Sequence, residues 1–377
     1  MTENETSPDR APQAAPLPKA KAPLSRRLLR WALILLAYLA LCELFFQLFF
    51  PDPPLSEVVY GNHPIFHHVP KAFLEGGFGE YDFRRVGYEN APRPGTLRVA
   101  FIGDSFTYGF CPPNETIPFY FQRFLKEKFP NQRIEVLNFG FVSYSPIIEE
   151  VVYKRLVAPL KPDYVIQLYD TFDPQDDVLY TKSASFAADG SAESVAGEQF
   201  FHTGIRRSAS VRFIQFAATV IENDWDYFPF EQRFAARVIY VREPSRFQNV
   251  VNYSFSIIKR LATRIERDGA KFMLFQYPPP HLLADRREFT KYFAAWGLPV
   301  SWVPPRESPF TKQVLAFCQA NALRCFDFGP QVREIEDALA PGASRLGIYN
   351  NEDGHFTGAV NKVFARYILD SFVAQGF

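Results

Sequence analysis

Arg98-Val-Ala-Phe-Ile-Gly-Asp-Ser-Phe-Thr-Tyr-Gly109 runs from an apolar, strand-like segment straight into a Gly-Asp-Ser turn. Working outward, short apolar runs recur and alternate with helical periods. The runs predict buried parallel strands at Leu97–Ile102, Ile134–Phe139, Tyr164–Tyr169, Lys271–Tyr277 and Cys325–Phe328. Between them fall predicted helices at Ile117–Lys128, Ser145–Leu160, Val250–Asp268 and Thr311–Ala322, and a last helix, Gly358–Ala374, follows the fifth strand. Strand–helix alternation implies right-handed crossovers and a parallel sheet covered on both faces, an α/β fold. In such folds ligands bind at the carboxyl ends of the strands, where Ser105 stands.

At the other end of the chain, Glu352-Asp-Gly-His-Phe-Thr-Gly358 sets carboxylates beside a histidine. A serine hydroxyl is almost never ionised at neutral pH. It becomes a nucleophile when an imidazole takes its proton and a carboxylate holds that imidazole's tautomer. One end of the chain supplies the serine and the other the base, so a hydrolase is the leading reading. The bland alternatives are a turn serine capping the next helix and a surface histidine before the last one.

The whole chain bounds this reading. Its 377 residues leave room for one large domain with appendages, and 16% aromatic content with 40 Phe is enough for a filled core. Net charge is zero, which argues against a nucleic-acid partner. Residues 1–27 are rich in Pro, Ala and polar groups and predict a disordered cytoplasmic tail. Residues 28–50 then predict a transmembrane anchor. The stretch Trp31–Phe50 would rise roughly 30 Å as a helix, the thickness of a bilayer's hydrocarbon core. Glu43 and Gln47 interrupt it on one face. Lys19, Lys21, Arg26, Arg27 and Arg30 precede the span, while Asp52 and Glu57 follow it. The positive-inside rule puts the tail in the cytosol and everything after Pro51 outside. In a bacterium that is a single-pass inner-membrane protein with its C-terminal domain periplasmic or exoplasmic.

Residues 51–95 read as a linker and N-terminal extension, and 96–377 as the catalytic domain, with an insertion at about 172–249. The insertion carries Trp225, Tyr227, Phe228 and Phe230 and reads as a cap or substrate-binding loop. His63, His67 and His68 lack a neighbouring carboxylate or cysteine set and make a weak metal signal, so no metal and no cofactor are expected. Cys42 lies in the span, which leaves Cys111, Cys318 and Cys325 outside. Cys318 and Cys325 could pair in an oxidising compartment, but the reading favours two buried thiols.

Gly103-Asp-Ser with its preceding strand, Asn138-Phe-Gly-Phe-Val-Ser-Tyr-Ser145 and Asp353-Gly-His355 resemble, in order, blocks I, II and V of the SGNH (GDSL-type) hydrolase family, here as a membrane-anchored bacterial member. The resemblance runs from about Leu97 to the C-terminus. It implies a flavodoxin-like three-layer α/β/α sandwich with a parallel sheet of about five strands. It also implies hydrolysis or transfer of an ester-linked acyl group, with Ser105 as nucleophile and His355 as general base. The acid is Asp353, with Glu352 the alternative, and Asp104 braces the turn.

The family's oxyanion hole uses the serine N–H, a block II glycine N–H and a block III Asn amide. Here Ser143 stands at the glycine position, and the block III segment reads Leu168-Tyr-Asp-Thr-Phe-Asp-Pro174 with no Asn. Thr171 or a group from the insertion is the candidate replacement donor, failing which the enzyme is slow or is not an enzyme, whereas an ionised Asp170 would repel an oxyanion. Three functions follow: an exoplasmic esterase acting on acyl esters of an envelope glycan or lipid, an O-acyltransferase modifying an envelope polysaccharide, or a non-catalytic glycan-binding protein. The oligomeric state is not legible.

Overall fold

The computed structural model describes residues 24–49, 60–70, 92, 94–197, 244–277, 308–338 and 355–376. A hairpin of β1 (Tyr60–His63) and β2 (His67–Pro70) precedes the sheet strands β3 (Thr96–Ile102), β4 (Arg133–Asn138) and β5 (Tyr164–Tyr169). A second hairpin, β6 (Ala184–Phe186) and β7 (Ala192–Val195), comes before β8 (Lys271–Gln276) and β9 (Cys325–Asp327). The five sheet strands are all parallel in the order β4-β3-β5-β8-β9. The chain reverses its direction across the sheet between β3 and β5, and the crevice at that switch point is where such sheets bind ligands.

The alternation of side chains along each strand divides the core in two. Ala100, Ile102, Leu137, Val165, Phe272 and Leu274 face one layer, and Val99, Phe101, Val136, Ile166, Met273 and Phe275 face the other. The first layer is closed by α4 (Pro146–Val152), α6 (Gln248–Arg267) and α7 (Pro309–Ala320). On the second lie α3 (Ile117–Lys128), α8 (Gly329–Asp337) and α9 (Gly358–Ala374). The fold is therefore a three-layer α/β/α sandwich with a five-stranded parallel sheet, as the strand–helix alternation predicts. Two shorter helices, α2 (Ser105–Tyr108) and α5 (Asp173–Thr181), start just beyond the carboxyl ends of β3 and β5.

Local chemistry explains the boundaries. In α3, Thr116 caps the first turn by accepting from the Phe119 N–H at 3.3 Å, Pro118 sits where no N–H is needed, and Lys126 and Lys128 face the C-terminal dipole. In α6, Val251, Phe255, Ile258, Leu261, Ala262 and Ile265 recur at helical spacing and are buried as one stripe. The predicted helix Ser145–Leu160 departs from expectation. It is α-helical only to Val152, widens into a π turn at Tyr153–Val157 and tightens at Ala158–Leu160. Pro159 has no N–H to offer the fourth carbonyl behind it, so a regular helix cannot end there.

Cys318 and Cys325 are a correction. They are not two thiols but a disulfide, with Cα atoms 6.1 Å apart. The last turn of α7 closes with the Leu323 N–H donating to the Cys318 carbonyl at 2.9 Å, and Ala322 adopts a left-handed φ of 53°. That reversal brings the first residue of β9 back past the helix end.

At the N-terminus, α1 (Leu24–Phe49) is long and apolar enough to cross a membrane. Its Leu28–Phe45 window has a mean hydropathy of 2.0 and no buried residue. Residues 1–23 lie outside the described residues. So do residues 198–243 of the expected insertion, with Trp225, Tyr227, Phe228 and Phe230. The earlier part of that interval is α5 and the β6–β7 hairpin, and Tyr180, Ala192 and Val195 join the core.

Candidate active site

β3 delivers the Gly-Asp-Ser turn to the switch point. Asp104 is the cap of α2, and its Oδ1 accepts from the Phe106 N–H at 2.9 Å. That bond fixes the bend which places Ser105 first in the helix, its own N–H without an acceptor among the described residues. Gly103 is held at φ 152°, and a Cβ there would lie 2.1 Å from Thr107 Oγ1 and 3.1 Å from the Leu168 carbonyl. Glycine suits both this φ and the close approach of the Thr107 side chain.

The segment after β4 is clamped to the same turn. Asn138 Nδ2 donates to the Thr107 carbonyl at 2.9 Å, the Gly140 N–H donates to Asn138 Oδ1 at 3.0 Å, and the Phe141 N–H donates to the Gly103 carbonyl at 3.0 Å. Gly140 is required by contact, since a Cβ would sit 2.3 Å from Thr107 Cβ and 2.7 Å from the Tyr108 N. Beyond it, Ser143 takes a left-handed φ of 52° inside a turn closed by the Tyr144 N–H on the Phe141 carbonyl at 3.1 Å. Glycine accepts that conformation without cost, as the resemblance expects of this position. The Ser143 N–H has no acceptor among the described residues.

The base arrives from the far end of the sequence. His355 Nε2 lies 2.7 Å from Ser105 Oγ, across 250 residues of chain. Its ring packs between Phe106 and Phe110, with centroids 4.7 and 4.6 Å away. Three residues later α9 begins; it docks on α3 through Phe121 against Phe372 at 5.7 Å and on the turn before α3 through Asn361 Nδ2 donating to the Glu115 carbonyl at 3.1 Å. The base is thus set by a helix that packs on α3, while the nucleophile opens α2. Ser105 and His355 are half-buried, so a substrate can reach them. Asp353 and Glu352, the two expected acids, lie outside the described residues.

The loop after β5 holds the expected replacement donor and an acidic shell. Thr171 is fully buried, and its hydroxyl has no partner among the described residues. Asp170 is also buried. Its Oδ1 accepts from the N–H groups of Phe172 at 2.5 Å and Asp173 at 3.2 Å, while Asp173 Oδ2 accepts from the Asp170 N–H at 2.8 Å. Asp170 Oδ1 is thereby engaged with the N–H groups of its own loop.

Sequence reasoning missed the extent of this shell. Asp104, Glu149, Asp173 and Asp177 are all buried around the strand ends. Burial pushes Asp104 up to about 6, opposed by the nearby Tyr277 hydroxyl, the Phe106 N–H and the His355 imidazole; the Tyr277 hydroxyl approaches without hydrogen-bond alignment. Burial likewise raises Asp177 to about 7 and holds Glu149 and Asp173 well above the usual carboxylate range, each reinforced by its acidic neighbours. Burial and neighbouring like charge both disfavour ionisation of this shell. That matters for chemistry, because a fully ionised shell behind Ser105 would oppose an oxyanion. The sequence signal was the run Asp170 to Asp177, with four acids, read only as a lost Asn.

No group of three or more potential metal ligands gathers among the described residues. His67 and His68 are instead buried against the aromatic rings of Tyr180, Phe141 and Tyr144.

No protein-family model matches the chain, and no curated protein does. Among solved structures, it is similar to an acetylxylan esterase from Geobacillus stearothermophilus at 13% identity and a TM-score of 0.40, covering 75% of this chain and 96% of that one. It is also similar to a lipase/acylhydrolase from Enterococcus faecalis at 12% identity and a TM-score of 0.39, covering 74% and 97%. At these scores the likeness carries no argument, and the reading below rests on the chain's own residues.

Proposed function

We propose that the protein is a membrane-anchored exoplasmic serine esterase that hydrolyses acyl esters, acetyl among them, of an envelope glycan or lipid. The single observation that carries this is His355 Nε2 at 2.7 Å from Ser105 Oγ at the carboxyl edge of a parallel sheet. In this mechanism His355 Nε2 accepts the hydroxyl proton as Ser105 Oγ attacks the ester carbonyl. The alcohol then leaves with that proton, and water, activated by the same imidazole, releases the acid. Asp353, or Glu352 in its place, holds the imidazole's Nδ1–H tautomer. The oxyanion is met by the N–H groups of Ser105 and Ser143 and by the Thr171 hydroxyl, which substitutes for the family's Asn. These three fit the requirement for donors not already committed elsewhere, since neither N–H nor the buried hydroxyl has another partner among the described residues. No metal or organic cofactor enters, because the serine's base is part of the chain. The anchor proposal rests on α1 and the basic residues that precede its apolar stretch.

Acetate release from p-nitrophenyl acetate tests the reaction, with and without an added glycan acceptor. The proposal expects turnover that needs Ser105 and is indifferent to the glycan. Release that rises only with acceptor, with acetate appearing on the glycan, would replace hydrolysis by transfer. For topology, a reporter fused after Pro51 is expected to be active only outside the cytosol.

A further inference from the structure

Ser143 has an unusual support. The peptide that carries its N–H is the Val142–Ser143 unit, and the Val142 carbonyl of that unit lies 2.5 Å from His68 Nε2. His68 belongs to β2, 74 residues earlier in the chain and immediately beyond the anchor's linker. A carbonyl only accepts, so His68 Nε2 must carry the proton. In a neutral imidazole Nδ1 is then an acceptor, and His67 Nδ1 stands 2.8 Å from it, so His67 donates. Burial supports this neutral pairing by lowering His67 to about 4 and His68 to about 3. The relay is directed: His67 Nδ1–H to His68 Nδ1, then His68 Nε2–H to the Val142 carbonyl. A second tie runs the other way, with Tyr144 Oη donating to the His68 carbonyl at 2.7 Å.

A trans peptide is planar, with its C=O and N–H pointing in opposite directions. Fixing the Val142 carbonyl on His68 therefore fixes the Ser143 N–H to the opposite side. We infer that His68, backed by His67, is a positioning residue that holds the Val142–Ser143 peptide so that the Ser143 N–H faces the substrate oxyanion. This rests on the esterase reading above, in which that N–H is an oxyanion donor.

The geometry gives the relay a reason to be built this way. Ser143 is not glycine, and its left-handed φ is one that an L-residue leaves readily unless its surroundings fix it. The turn has no regular secondary structure to hold it, so a side-chain donor from outside must select the peptide's orientation. β2 is placed for that task. Phe66 and Val69 are buried in the core beside Phe141 and Tyr144, and the Val195 N–H donates to the Ile65 carbonyl at 2.8 Å. The His67 left-handed φ of 58° closes the three-residue loop of the hairpin opposite His63. The β1–β2 hairpin is thus tied to the loop that carries the Ser143 N–H.

The test uses the full-length protein and a fluorophosphonate probe, whose phosphoryl oxygen develops charge in the same hole as Ser105 Oγ displaces fluoride. The maximal rate kinact and the half-saturating concentration KI are measured per labelled site, so unfolded molecules do not count. His68→Leu is expected to lower kinact by about 10- to 100-fold, short of or equal to outright loss of one oxyanion donor. KI and the pH dependence of labelling stay unchanged, because the Ser105–His355 couple is untouched. His68→Gln, which returns an N–H donor near the same place, recovers most of the loss; a purely structural role would show no such rescue. Wild-type kinact in His68→Leu would overturn the inference and leave the esterase reading standing. If His68→Leu does not fold, Tyr144→Phe carries the test, with a several-fold fall in kinact expected and an unchanged value contradicting it. A wild-type protein that takes no label overturns the esterase reading, and this inference with it.

Discussion

Two residues on the post-strand loops decide whether Ser105 works as well as its contact with His355 allows. Gly140 lies so close to Thr107 and Tyr108 that any side chain must displace the serine turn. Gly140→Ala is expected to destabilise the fold by about 1–3 kcal/mol, as overpacking does, and to lower the rate of the folded fraction. Urea denaturation beside p-nitrophenyl acetate hydrolysis reads both, and a variant of wild-type stability would contradict the tight contact. Thr171 is the opposite case, a buried hydroxyl with nothing to bond among the described residues. Thr171→Val should cost little stability, since it removes an unsatisfied polar group, but should lower kcat on the order of 10²-fold. Unchanged kcat would remove Thr171 from the hole. The meeting of Ser105 with His355 was legible in the sequence because motif order constrains it. His68 was not, because its part depends on a hydrogen bond across 74 residues that no local pattern encodes.

Elements were legible where the pattern was periodic and the ends were chemically marked. Tyr164–Tyr169 and Ile117–Lys128 have the boundaries the sequence predicts: the first is a buried apolar run, the second is capped by Thr116 and closed by lysines. Ser145–Leu160 was not, because a π turn looks like a helix until Pro159 is counted against its hydrogen bonds. The Cys318–Cys325 bond was missed for a different reason. Whether a helix end and the next strand face each other depends on the left-handed Ala322, which favours no alanine in advance. The bond ties α7 to β9, the edge strand of the sheet. Thiol titration of denatured, unreduced protein is expected to find two free thiols, Cys42 and Cys111, and reduction to lower stability by roughly 2 kcal/mol. Four free thiols would contradict the bond and weaken the exoplasmic assignment.

At the scale of the whole molecule, the buried acids and the buried histidines give opposite pH signatures. Asp177 at about 7, with Glu149 and Asp173 also raised by burial, hold protons in the folded state that the unfolded chain has lost above pH ~4. Their contribution is complete below pH ~4 and is lost as pH rises through the folded values. His67 and His68 run the other way, since their folded values lie below the unfolded one; their contribution is present above pH ~6.5 and lost as pH falls toward about 4 and about 3. Below pH ~6.5 the two sets oppose each other, and above it only the acids act. Between pH 4.5 and 7 the Tm of Asp177→Asn is therefore expected to rise relative to that of the wild type, and above pH ~7 the difference is expected to level off. A difference that stays constant from pH 4.5 to 7 would contradict a protonated Asp177. The parallel sheet, its layers and the meeting of Gly-Asp-Ser with the terminal histidine were all readable from alternation and motif order, whereas the acidic shell emerges only when β3, β5 and their loops are brought together. The most direct test of the central claim is mass spectrometry of the full-length protein after exposure to a fluorophosphonate. The account predicts one adduct, on Ser105, lost in Ser105→Ala and formed at least about 10³-fold more slowly in His355→Ala. A folded wild-type protein that takes no adduct, or takes it on another serine, would contradict it.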